Sequence, residues 1–211
     1  MGSDLFSTGM VKKTRVYCGV ILVILAVIGF SGFVGFPASG GNDFPVQAAA
    51  DLDGDGITEE YSLVDHCLTV REGDEELWRS PRDWRVDTLA LGDADNDGTL
   101  NMVITLWKKG SFGALKPFWL TGEDTGYKNH LFVYGLKDKT MKQAWCSSDL
   151  DQPIISLTIR DWDGDGLNEL VVEEGQYRRI DGEEYTLNTH SQVRTTVWRW
   201  DEWGFGLISP L

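Results

Sequence analysis

The chain has 211 residues, enough for one ordinary domain and a terminal extension. Its hydrophobic content of 42% is that of a globular protein rather than a disordered one. A net charge of −14 excludes nucleic acid as a partner on electrostatic grounds, and three Cys with no CxxC pair argue against a zinc site.

The chain opens with a basic segment, residues 1–15, containing Lys12, Lys13 and Arg15. The uncharged run Val16–Phe36 follows, and its 21 residues suffice to cross a bilayer as a helix. The flanking cations keep the N-terminus in the cytoplasm and send the rest of the chain outside, which predicts a single-pass membrane protein. The competing reading is a signal sequence cleaved near Ala38-Ser39-Gly40 and a secreted product. Residues 37–43 read as a short linker, and 44–211 as the folded domain.

That domain is punctuated by three acidic loops. Asp51–Glu59 reads DLDGDGITE, Asp93–Asn101 reads DADNDGTLN and Asp161–Glu169 reads DWDGDGLNE. Aspartates at alternate positions with intervening glycines turn several carboxylates inward from few residues, which is what the many-oxygen shell of Ca²⁺ needs. A lone copy is compatible with an ordinary acidic turn; three copies together point to cation binding. The loops hold eleven acids whose repulsion a bound cation would relieve. Asn101 replaces the closing acid in the middle loop, so acid counting predicts that the middle site binds most weakly.

Around each loop the same pattern recurs. Strand-like runs precede the loops at 44–50, 84–92 and 153–160, and others follow at Tyr61, Met102 and Leu170. Each repeat then carries a hairpin pattern, ending with TTVWRWDEWGFGLIS in the third. No segment after residue 43 shows a helical apolar period. The expectation is an all-β domain of three four-stranded repeats, with the first strand crossing over to complete the last sheet and close the domain. Insertions at Lys108–Asn129 and Glu174–Gln192 occupy equivalent places and should rise on one side, where Lys116, Phe118, Trp119, Tyr127, Tyr177, Arg178 and Arg179 offer contact groups.

These loops followed by strands resemble the FG-GAP/VCBS-type repeats of integrin-like β-propellers. The resemblance covers Phe44 to about Leu211 and implies a small β-propeller-like fold, an extracellular or surface location and Ca²⁺ bound in the loops. It implies as ligands Asp51, Asp53, Asp55 and Glu59; Asp93, Asp95 and Asp97; and Asp161, Asp163, Asp165 and Glu169. Backbone carbonyls of Ile57, Thr99 and Leu167 would complete the three shells. The chain departs from the family in number, since propellers usually have four or more blades. An EF-hand is excluded because Ser62, Ile104 or Val172 stands where that loop needs its closing Glu.

Enzymatic signatures are missing. His66, His130 and His190 are not paired at metal-ligand spacing, and neither HExxH nor GxSxG occurs. Nine Trp are many for this length, and those at Trp198–Trp203 either fill a core or stack on sugar rings. Cys67 and Cys146 either form one disulfide or remain buried thiols. The sequence thus predicts an outward-facing, membrane-anchored adhesion-type domain that binds calcium and an extracytoplasmic protein or glycan. Alternatives are an accessory or catalytic component of a cell-envelope hydrolase and a calcium-dependent carbohydrate-binding module.

Overall fold

The structure, a computed structural model, describes residues 46–111 and 121–210. The basic segment, the expected membrane helix, the linker and Phe44 lie outside the described residues, as do Lys116, Phe118 and Trp119. Every regular element among the described residues is a strand, and no helix there is long and apolar enough to cross a membrane.

The first sheet comprises β1 (Val46–Ala50), β2 (Glu59–Val64), β3 (Cys67–Glu72) and β4 (Glu75–Arg79), paired in that order. The middle sheet comprises β5 (Arg85–Gly92), β6 (Asn101–Lys109), β7 (Tyr127–Lys137) and β8 (Thr140–Cys146). The third comprises β9 (Ile154–Arg160), β10 (Glu169–Glu174), β13 (Arg194–Asp201) and β14 (Gly204–Pro210). Between β10 and β13 runs a further hairpin, β11 (Tyr177–Asp181) and β12 (Glu184–Leu187). It joins the middle sheet through one parallel bridge, Glu184 to Tyr127.

Each acidic loop connects the first two antiparallel strands of its own sheet. Ala50 faces Glu59, Gly92 faces Asn101 and Arg160 faces Glu169 across the loop mouth. The expected crossover closure is therefore wrong. β1 pairs with β2 because the acidic loop folds the chain straight back, which makes the adjacent strand the nearest partner.

The sheets stack through alternate side chains. Tyr61, Leu63, Leu68 and Val70 of the first sheet pack on Met102, Ile104, Phe132 and Tyr134 of the middle one. The opposite face of the middle sheet, with Ala90, Val103, Leu131 and Val133, packs on Leu157, Ile159, Leu170 and Val172 of the third. Burial on both faces explains why MVITLW is apolar at every position but Thr105, whereas β2 alternates between buried and more exposed positions. Call the face of each sheet that looks toward the next repeat its leading face, and the other its trailing face. The leading face carries Tyr61 and Leu63 in the first sheet and Val103 in the middle one. The stack is thus head to tail, each leading face meeting the next trailing face.

The first strands come close where their side chains are small. A Cβ added to Gly92 would lie 3.1 Å from the Cβ and Cγ2 of Ile159. Leu89 and Leu91 of the same strand face the first sheet, while Ala90 faces the third.

Candidate metal centres

The three loops share one scaffold of hydrogen bonds. In the first, Asp51 Oδ1 accepts the N–H groups of Gly54 (2.7 Å) and Asp55 (3.1 Å), and its Oδ2 accepts that of Gly56 at 2.9 Å. Asp55 Oδ1 accepts the Ile57 N–H at 2.7 Å. Asp93 and Asp161 bind the Gly98 and Gly166 N–H groups in the same way, at 3.0 and 2.9 Å. The fourth loop position requires a left-handed backbone, supplied by Gly54 (φ 73°), Asn96 (φ 59°) and Gly164 (φ 81°). The closing residue is a pin. Glu59 Oε2 accepts the Leu52 N–H at 2.8 Å, Asn101 Oδ1 that of Ala94 at 2.8 Å, and Glu169 Oε2 that of Trp162 at 2.7 Å. Asn101 therefore keeps the structural half of the acid's task and drops its charge.

The loops differ in what remains over. Asp51, Asp53, Asp55 and Glu59 can each turn one oxygen into a cluster no wider than 4.8 Å. Glu59 is 0% exposed, yet its Oε1 has no hydrogen-bond partner. Burial pushes its carboxyl above the usual range; the Leu52 N–H opposes this, and Asp53 and Asp51 add repulsion. A buried carboxylate with an unpartnered oxygen, clustered with three other carboxylates, is costly unless something cationic meets it. The residues of this loop thus fit a hard divalent cation.

Asp93, Asp95 and Asp97 form a second cluster within the same 4.8 Å limit. Asp95 Oδ1 is a buried atom without a partner, and burial, then Asp97 and Asp93, raise the Asp95 carboxyl. The second and third loops are also tied to each other. The Asn96 amide exchanges two hydrogen bonds with the Asn168 backbone, at 3.0 and 2.6 Å, and Asn168 Nδ2 donates to Asp93 O at 2.9 Å.

In the third loop only Asp161, Asp163 and Glu169 cluster. Arg199, from β13, fills the neighbourhood. Its Nε donates to Glu169 Oε1 at 2.6 Å, and Nη2 also reaches that oxygen. The same guanidinium lies 3.0 Å from Asp163 and 2.8 Å from Asp165. The Leu167 N–H, with Arg199 adding to it, holds the Asp165 carboxyl below the usual range. Attention to contiguous acids misses Arg199, Asn96 and Asn168. For Arg199 the signal is register, since Arg199 stands directly opposite Glu169 across the β10–β13 pair.

The insertions lie at the other end of the sheets, because each connects the far ends of the second and third strands. They do meet on one side. Tyr127 N donates to Glu183 O at 3.0 Å, and Thr125 Oγ1 donates to Glu183 Oε2 at 3.0 Å. Tyr177 is a fastening rather than a free contact group: its hydroxyl accepts the Asn129 N–H (3.2 Å) and donates to Leu150 O (3.0 Å). Tyr127 stacks on Trp107 with ring centroids 6.1 Å apart. Arg178 and Arg179 are exposed on β11.

His130 is 0% exposed on β7, with Asp149 Oδ1 3.5 Å from its Nε2. Burial, with Lys108 nearby, pushes its imidazole down to about 4, against the pull of Asp149. His66 sits 3.1 Å from Asp87. Among the described residues no metal-type cluster contains a His or Cys. Trp198 packs on the core between the middle and third sheets, and Trp200 meets Trp145 and Phe205 edge-on. Trp203 alone of the three projects, 82% exposed at the hairpin turn. Cys67 is half-buried and Cys146 exposed, and both are free thiols rather than a disulfide or two buried groups.

No family model, curated protein or solved structure matches the chain.

Proposed function

We propose that the chain is a membrane-anchored, extracytoplasmic calcium-binding domain of the FG-GAP/VCBS propeller-like type, whose insertions bind a protein or a glycan. One observation carries the calcium reading: Glu59, fully buried and clustered with Asp51, Asp53 and Asp55, has an oxygen, Oε1, without a hydrogen-bond partner. Three repeats of one loop scaffold support the family reading, and the apolar run Val16–Phe36 supports the anchor. The metal acts structurally. Its candidate ligands belong to the turn joining two adjacent strands, so a bound ion would fix how one strand feeds the next. The insertions stand at the far end of the sheets, which separates partner binding from the metal. A sugar-stacking role is disfavoured for Trp198 and Trp200, whose rings pack internally, whereas Trp203 projects from the hairpin turn.

Calorimetric titration of the full chain with CaCl₂, in detergent and after chelation, tests the reading. We expect binding with a Kd of roughly 0.1–1 mM, the range of extracellular modules. Absence of binding, together with an identical melting temperature in calcium and in chelator, refutes it.

A further inference from the structure

The three loops have the same fold and different charges at one equivalent place. In the third sheet, Arg199 stands opposite Glu169. In the middle sheet Met102 pairs with Tyr134, so the next residue along, Gly135, occupies the corresponding place opposite Asn101. In the first sheet Glu60 pairs with Arg71, which puts Glu72 there, opposite Glu59. The third loop thus has a cation at this place, the second no side chain and the first another acid.

The closing acids register the difference. Glu59 and Glu169 are 0% and 1% exposed, and each gives one oxygen to a backbone N–H. The remaining oxygen of Glu59 has no partner, whereas that of Glu169 is bonded by Arg199. Arg199 also draws Asp165 aside, so that the third cluster contains three carboxylates where the first contains four.

We infer that Arg199 is a tethered counter-cation for the third loop, so that this loop keeps its fold without metal and, of the two loops with a full acid set, the first is the metal-responsive one. The inference rests on the reading of the first loop as a cation site. A divalent ion entering the third loop would have to displace a guanidinium that makes charge-assisted bonds to a buried carboxylate, or sit beside it against like-charge repulsion. At the first loop a cation, Lys139, pairs with Glu72 at the equivalent place and with Glu75, and among the described residues no ion pair reaches the four clustered carboxylates. Acid counting places the first and third loops together as equals; the guanidinium separates them.

The test is a CaCl₂ titration of the full chain, following the amide resonances of Gly54 and Gly56 in the first loop and of Gly164 and Gly166 in the third. In the wild-type protein the first-loop amides should shift with saturation while the third-loop amides stay in place. In Arg199→Gln the third-loop amides should also shift, with an apparent affinity at least tenfold above any wild-type response there. The variant should melt lower than wild type in chelator and recover with calcium. Wild-type third-loop amides that titrate together with the first-loop ones overturn the inference without any use of the variant. So does a first loop that responds while Arg199→Gln leaves the third unchanged, and that outcome leaves calcium binding standing. If neither loop responds in either protein, the cation reading falls and the inference falls with it.

Discussion

Replacing Glu59 by Gln should stabilise the metal-free protein and lose most of that advantage in calcium. In chelator the wild-type side chain is a fully buried carboxylate with one oxygen satisfied by the Leu52 N–H and the other unpartnered beside Asp51 and Asp53. An unsatisfied buried polar group costs about 1–3 kcal/mol. Glutamine is nearly isosteric, retains a carbonyl for Leu52, removes the charge and offers an N–H₂ to the neighbouring carboxylates. Glu59→Gln should therefore stabilise the metal-free protein by about 1–3 kcal/mol, raising Tm by roughly 2–10 °C for a domain of this size. With calcium at about twenty times its Kd, the wild type gains about 2 kcal/mol from binding, and the variant only a fraction of that because a charged ligand is gone. The two melting curves should then approach or cross. Thermal denaturation of both proteins, in EDTA and in millimolar CaCl₂, measures all four values. Equal destabilisation by Glu59→Gln in both conditions would refute the reasoning and leave Glu59 as no more than the pin that holds Leu52.

The buried histidine should give the fold an acid-side weakness. Because the imidazole is held near 4 in the folded chain against about 6.5 unfolded, the unfolded state takes up a proton first as the pH falls. Stability should be intact above about pH 6.5 and should decline by about 3 kcal/mol toward pH 4. Urea denaturation at several pH values checks this, and a His130→Leu variant with the same slope would assign the loss to other groups. Between the middle and third sheets, Gly92→Val should cost about 1–3 kcal/mol, because even its first carbon meets Ile159 at 3.1 Å. Combining it with Ile159→Ala should cost less than the two changes summed, and strict additivity in equilibrium unfolding would contradict the close approach.

Much of this architecture was legible because its local signals agree. The strand-like runs on either side of each acidic loop were visible as β-rich stretches, and the loops announced where the first two strands of each sheet meet. Pairing was less legible. The idea that β1 completes the last sheet came from counting strands, but the loop at Asp51 returns the chain within a few residues and β1 has its partner at once. The β11–β12 hairpin was read as a plain insertion, since YRRID and EYTL are short and polar, and its fastening depends on contacts of Tyr177 with Trp107, Asn129 and Leu150 of distant segments. At the candidate metal centres, the acids were visible as a spacing. The residue that differentiates them, Arg199, lies thirty positions from Glu169 and meets it only through strand register.

The small and polar residues flanking the acidic loops say which parts of this chain are interchangeable. One and three residues before the loop, on the leading face, stand Ala50 and Ala48, then Gly92 and Ala90, then Arg160 and Thr158. Two and four residues before it, on the trailing face, stand Ala49 and Gln47, then Leu91 and Leu89, then Ile159 and Leu157. The first repeat thus lacks an apolar trailing face, and the third replaces its small leading residues with Arg160 and Thr158. Only the middle repeat is finished to receive a neighbour on both sides. A duplication of that repeat alone, spliced between the first and the third, would meet matched surfaces at every junction. A copy added at either end would meet Glu60 and Gln47, or Arg160 and Glu173. Among the described repeats, the faces matched for growth by gene duplication are those of the middle one.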